Sequence, residues 1–202
     1  DPARSGHLSW CAAAHSGLVT RPIASLAGRF RGDDVRALVR DPTSMHMSRT
    51  RLVSIENTHN SSGGRCWSLA EVDDVVTAAR ALDLKLHLDG ARLLNAATAT
   101  GVSAAEYGSR FDTVTLCLSK GLGCPLGAVV AGSHELMGAA RVEKHRFGGA
   151  MRQAGIVAAA GLYALEHNVE RLADDHARAR RLAEGWAAAG LPLESGELVA
   201  ES

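Results

Sequence analysis

The sequence predicts an α/β domain with helices packed on a largely parallel sheet. Three observations lead there. From residue 51 onward, short apolar runs alternate with helix-length amphipathic segments, the pattern of parallel strands joined by crossover helices. Ala and Gly are abundant while aromatic residues make up only 4% of the chain, a composition suited to helices lying close on a sheet. Three successive strands end in chemically loaded turns, Glu56-Asn-Thr-His-Asn60, Asp89-Gly-Ala-Arg92 and Ser119-Lys-Gly121. In such sheets ligands collect beyond the carboxyl ends of the strands.

Each element has its own signal. His7 to Ala14 reads as a short helix, Gly17 to Pro22 as a strand, and Asp33 to Val39 as a helix with acidic residues in its first turn, where the helix dipole favours them. Arg51 to Glu56 is the first clear strand. Ser68 and Glu71 form a capping-box pair that opens a helix carrying Leu69, Val72, Val75, Val76, Ala79 and Leu82 on one face. Lys85 to Asp89 is the next strand, followed by Gly90 and a short helical stretch from Ala91. Phe111 to Leu118 and Leu126 to Ala131 are the third and fourth strands. Helices follow over about 133–146, 152–166 and 168–189, the last with Leu172, Ala179, Leu182 and Trp186 in register and a stop at Gly190.

A chain of 202 residues buries a sizeable core and makes one domain or a domain and a fraction. Its 22 basic and 22 acidic residues cancel. With no basic stripe, nucleic acid is not an expected partner. No apolar run approaches the ~18 residues of a membrane span, and no signal peptide opens the chain, so no membrane association is expected. Cys11, Cys66, Cys117 and Cys124 form no Cys-x-x-Cys pair and read as reduced thiols of a cytoplasmic protein. The opening Asp1-Pro2 and the strand-like close over 197–202 suggest a piece of a longer polypeptide.

Lys120 stands at the mouth of a strand in a glycine-rich turn. A partly desolvated lysine there is a Schiff-base nucleophile; a solvated one is only a loop residue. Asp89 ends an apolar strand, so its carboxylate needs a partner. A protonated pyridine nitrogen is one, and the lysine–aspartate pair is what pyridoxal phosphate requires. Capping of the following helix is the alternative. Arg92 offers a planar fork for a carboxylate or phenolate, or else a surface salt bridge. His59 lies in the polar loop after the first strand, as a general base or as a solvent-facing residue. His87 shares a strand face with Asp89. His-x-Asp suits a metal, but no third ligand stands at a metal spacing, so packing behind Asp89 is the reading and no metal is expected. The run Gly121-Leu-Gly-Cys-Pro-Leu-Gly127 is not a dinucleotide fingerprint, and no P-loop is present.

Four motifs in order, Glu56-Asn-Thr-His-Asn60, His87-Leu-Asp-Gly-Ala-Arg92 with Asn95, Cys117-Leu-Ser-Lys-Gly-Leu-Gly123 with Pro125 and Gly127, and Gly148-Gly-Ala-Met-Arg-Gln-Ala-Gly155, resemble the low-specificity L-threonine aldolases. These belong to the β-eliminating lyases among the fold-type-I pyridoxal phosphate enzymes. The resemblance runs from about 49 to 190, and more weakly back to His7. It implies a three-layer αβα large domain over 1–190 and the start of a C-terminal small domain over 191–202. It also implies a homodimer or homotetramer acting on a small amino-acid substrate.

By the same resemblance Lys120 carries the cofactor covalently, Asp89 meets the pyridine nitrogen, and Arg92 lies near the ring oxygen and substrate carboxylate. His59 stands by the substrate hydroxyl, His7 stacks on the ring, and Arg152 contacts phosphate or supports the site. The implied reaction is cleavage of L-threonine or L-allo-threonine to glycine and an aldehyde. Alternatives are another lyase or transaminase of this fold, or a truncated non-catalytic remnant. Two departures stand out: Ala150 replaces the third glycine of the last motif, and His145 takes the place of a lysine. By the same resemblance, the family's N-terminal phosphate-holding segment and all but the start of its small domain are expected to lie outside these residues.

Overall fold

The structure is a computed structural model that describes residues 12–25 and 27–191. Four strands, β1 (Leu52–Glu56), β2 (Lys85–Asp89), β3 (Thr113–Cys117) and β4 (Ala128–Gly132), form one sheet in the order β1-β2-β3-β4. The first three run parallel and β4 runs antiparallel to β3. Among the described residues seven α-helices with complete bounds accompany them: α1 (Gly32–Leu38), α2 (Leu69–Ala81), α3 (Leu93–Thr100), α4 (Ala104–Gly108), α5 (His134–Arg146), α6 (Gly155–His167) and α7 (Leu172–Ala188). Residues 12–16 are also helical. The α/β class and the mostly parallel sheet agree with the sequence.

β1 and β2 are each followed by helix before the chain returns to the sheet. The reversal at β4 has a simple cause. A parallel return needs about a dozen residues or more, and the connection over 118–127 is shorter and tightly folded. In it Leu118 N–H donates to the Gly127 carbonyl at 2.9 Å and Cys124 N–H to the Leu118 carbonyl at 3.1 Å.

The main core lies on one face of the sheet. Val53 and Ile55 of β1 stand in register with Leu86 and Leu88 of β2, and all four are buried. Val72, Val75 and Ala79 of α2 cover them, with Trp67, Tyr107 and Phe111 closing the side. α2 begins where Ser68 caps it: the Ser68 side chain accepts from Glu71 N–H while the Glu71 carboxylate takes Ser68 N–H at 2.8 Å. A second, smaller cluster gathers Leu118, Leu122, Cys124 and Ala164.

Several sequence expectations are corrected. Residues 17–22 form no strand, because no neighbouring strand pairs with them and Leu18 and Val19 lie exposed. α7 starts at Leu172 rather than near 168 and buries Leu172 and His176, while Leu182 and Trp186 are 65% and 47% exposed. On α2 the buried face includes Ala78 and leaves Leu82 at the surface. The expected helix at 7–14 and the expected small-domain start at 191–202 lie largely outside the described residues.

Candidate active site

Strand alternation places Ser54, Glu56, His87, Asp89, Thr113 and Thr115 on the sheet face opposite the core. Register sets Asp89 between Glu56 on one side and Thr115 on the other. Three sequence-predicted turns thus open at one edge of the sheet.

Asp89 is half-buried. Its Oδ1 accepts from Ala91 N–H at 3.1 Å, and its main-chain carbonyl accepts from Asn57 N–H at 2.9 Å. The residue therefore ties the His59 loop to the Arg92 turn. The N-cap of α3 is Arg92, not Asp89, so capping does not account for the carboxylate. Among the described residues, Ala91 N–H is its only hydrogen-bond donor. Arg92 is also half-buried, and no ion pair joins it to another described residue. It lines a small crevice with Ala91, Asn95, Cys117 and Gly121. That crevice joins the Arg92 turn to the lysine turn.

Lys120 is exposed. Its turn is closed by Gly123 N–H donating to the Lys120 carbonyl at 2.8 Å, with Gly123 at φ 75°. Gly121 packs so tightly that a Cβ there would lie 2.7 Å from Leu172 Cδ2 and 3.5 Å from Asn95 Oδ1. Asn168 Nδ2 donates to the Leu122 carbonyl at 2.8 Å. The lysine thus stands on a turn held from behind by α3 and the start of α7.

His59 has both ring nitrogens near side chains of its own loop. Nδ1 lies 3.0 Å from Ser62 Oγ, and Nε2 lies 3.8 Å from a Glu56 carboxylate oxygen. His87 bonds Thr113 Oγ1 at 2.8 Å through Nδ1, with Thr115 Oγ1 3.5 Å from Nε2. Burial lowers its pKa from the ordinary histidine value, against the opposing pull of Asp89. It packs behind Asp89.

Arg152 lies exposed in the turn before α6, and no hydrogen bond or ion pair joins it to the other candidates among the described residues. His7 lies outside the described residues. The structure also brings forward residues that the sequence reading passes over, Gly28, Ser62 and His176, the last paired with the motif residue Asn95. Ser62 alone has a local signal, its place three residues after His59. The others meet their partners only through the fold.

The fold and site define an α/β protein with a lysine, a carboxylate, an arginine and a histidine at neighbouring strand ends. The profile of the beta-eliminating lyase family matches residues 9–201, and the chain belongs to that family. It is 45% identical over 152 residues to low-specificity L-threonine aldolase 1 of Arabidopsis thaliana, covering 75% of this chain and 42% of that one. It is 40% identical over 179 residues to the low specificity L-threonine aldolase of Escherichia coli O157:H7, covering 89% of this chain and 53% of that one. The chain therefore spans about half the length of these curated relatives. The solved threonine aldolase of Leishmania major superposes with a TM-score of 0.74 at 23% identity, over 89% of this chain and 53% of that one, and supports the fold.

Proposed function

We propose that this chain carries the catalytic core of a pyridoxal-phosphate-dependent aldehyde-lyase that cleaves L-threonine or L-allo-threonine to glycine and an aldehyde. The observation that carries the reading is the convergence of Lys120, Asp89 and Arg92 at one sheet edge, with His59 on the adjoining loop. The donor set fits the cofactor. Among the described residues the Asp89 carboxylate takes one hydrogen bond, from Ala91 N–H, and Lys120 presents an exposed amine. Lys120 would hold the cofactor covalently, Asp89 would hold its pyridine nitrogen and Arg92 its ring oxygen or the substrate carboxylate. His7 and Arg152 are assigned to the same site by family resemblance.

When bound, the cofactor supplies an electron sink for cleavage next to the amino carbon. Asp89 holds a proton at the pyridine nitrogen. His59 takes the proton of the substrate β-hydroxyl, which releases the aldehyde. Arg92 orients the substrate by a two-point contact with its carboxylate.

The reading includes self-association as a dimer or tetramer. Its support is α6, which is apolar yet leaves Ile156, Leu162 and Tyr163 exposed. An apolar helix of this kind is ordinarily covered. A cytoplasmic location accords with the free thiols Cys117 and Cys124. No helix among the described residues is long and apolar enough to cross a membrane.

The test is an assay of the chain with pyridoxal phosphate and L-threonine. Release of glycine and acetaldehyde, lost in Lys120→Ala together with the visible absorbance of bound cofactor, is the expected result. Equal cofactor spectra for the variant and the parent chain would overturn the role of Lys120. Release of pyruvate-type or transaminated products would assign the site to another reaction of the fold.

A further inference from the structure

His59 is enclosed on three sides, and each side is a separate observation. The first is the main chain of Gly28. This residue has φ +71°, and a Cβ built on it would fall 1.9 Å from His59 Nδ1 and 2.2 Å from Cγ. Bare backbone therefore lies against the imidazole, and no side chain fits between them. The segment is tied down near this contact. Arg29 pairs with Glu71 at 3.2 Å and donates to the Cys66 carbonyl at 3.4 Å, while Gly32 N–H donates to Asp74 Oδ2 at 2.8 Å.

The second side is Ser62. Its hydroxyl donates to the His59 main-chain carbonyl at 3.2 Å, and its oxygen lies 3.0 Å from Nδ1. A hydroxyl has one hydrogen. With that hydrogen on the carbonyl, the oxygen accepts from Nδ1–H. The third side is Glu56, whose Oε1 accepts from Asn60 N–H at 3.2 Å and whose other oxygen stands 3.8 Å from Nε2. That contact becomes an ion pair only when Nε2 holds a proton.

We propose that Gly28 and Ser62 are positioning residues for His59: Gly28 sets the plane of the ring, and Ser62 fixes its neutral form as the Nδ1–H tautomer, which leaves Nε2 as the proton-accepting nitrogen. A proton arriving at Nε2 is met by the Glu56 carboxylate, and Nδ1–H stays with Ser62 throughout. The identity of the proton donor, the substrate β-hydroxyl, rests on the aldolase reading. The tautomer and the ring position do not.

The experiment reads the ring directly. The 202-residue chain is labelled with ¹⁵N-histidine, and long-range ¹H–¹⁵N correlations are recorded in alkaline buffer, where the rings are neutral. The signal lost in His59→Gln identifies the residue. The expected spectrum shows a protonated Nδ1 and an unprotonated Nε2. Ser62→Ala shifts the ring to the Nε2–H form, and Ser62→Thr, which keeps the hydroxyl, restores Nδ1–H. Gly28→Ala moves the His59 signals. Gly101→Ala leaves them in place, although Gly101 has a similar φ of 72°, because it ends α3 outside the His59 loop and nothing lies within 4 Å of its Cβ position. An Nε2–H ring in the parent chain, an unchanged tautomer in Ser62→Ala, or matching His59 signals in the two glycine variants would overturn the proposal. Should Gly28→Ala not fold, the two serine variants decide. An assay of glycine and aldehyde release is run alongside, so that failure of the aldolase reading is seen separately from failure of the tautomer.

Discussion

Asn95 of α3 and His176 of α7 meet through Nδ2 and Nε2 at 3.2 Å, and both side chains are buried. An amide nitrogen donates and never accepts, so Nε2 supplies the lone pair and His176 is the neutral Nδ1–H tautomer. Asn95 also backs Gly121, the residue after Lys120, and Leu172, which backs the same glycine, lies one helical turn before His176. The pair thus joins the two helices that hold the lysine turn. Asn95→Ala leaves a buried ring nitrogen without its donor, and an unsatisfied buried group of this kind costs about 1–3 kcal/mol. The expected outcome is an unfolding free energy lower by that amount, read as a lower urea midpoint with an unchanged slope. A midpoint equal to that of the parent chain would show that the contact contributes nothing.

Stability should fall in mild acid. Burial lowers the pKa of His176, opposed by Asp175 and assisted by Arg180, and burial lowers that of His87, opposed by Asp89. The unfolded chain binds protons at these rings below about pH 6.5, while the folded chain resists them. Their contribution is therefore present above about 6.5 and is lost as the pH falls through the folded-state values. Urea midpoints measured from neutral pH downward are expected to drop in that window. His176→Gln should flatten the drop, and an unaltered profile in this variant would exclude His176 as a cause.

Local signals are legible in this sequence and distant ones are not. The Ser68–Glu71 capping box starts α2 as the four-residue pattern requires. The apolar runs ending at Glu56 and Asp89 become strands in register because alternation and burial act within each segment. The direction of β4 follows from the length of its connection. Periodicity on α7 shows which residues share a face but not whether anything covers it, and Leu182 and Trp186 remain exposed. At the site, Lys120, Asp89, Arg92 and His59 are visible because reactive residues at strand ends stand out from an apolar background. Gly28 is invisible because its role is the absence of a side chain against a ring supplied by another segment. Asn95 and His176 are separated by 81 residues, and nothing near either predicts the other.

Two glycines should respond to alanine in opposite directions. A Cβ at Gly90, just past β2, would lie 2.8 Å from the Thr115 carbonyl oxygen of β3. That oxygen is part of the sheet and cannot swing aside, so Gly90→Ala is expected to destabilise by about 1–3 kcal/mol, the range of overpacked cores. Gly138 lies inside α5 with nothing within 4 Å of its Cβ position. Gly138→Ala is expected to stabilise by about 0.5–1 kcal/mol through the helix preference for alanine. Thermal unfolding of both variants checks the pair, and a matching shift in the same direction would contradict the packing described for Gly90.

Thr58 gives the last test. The residue is 2% exposed, and among the described residues its Oγ1 has no hydrogen-bond partner. The hydroxyl lies on the loop between β1 and His59. A buried hydroxyl without a partner loses its hydration and gains nothing in return. Thr58→Val replaces it with a methyl group of similar size, and removing such an orphan is expected to raise the unfolding free energy by about 1 kcal/mol. The neighbouring Asn57 Nδ2 is also buried without a partner, but its Oδ1 accepts from Trp67 N–H at 3.3 Å. Asn57→Leu would therefore lose a bond as well as an orphan, and should destabilise where Thr58→Val does not. Urea denaturation of the two variants separates them. Destabilisation by Thr58→Val would mean that the hydroxyl has a partner in solution, and would place that partner beside the His59 loop.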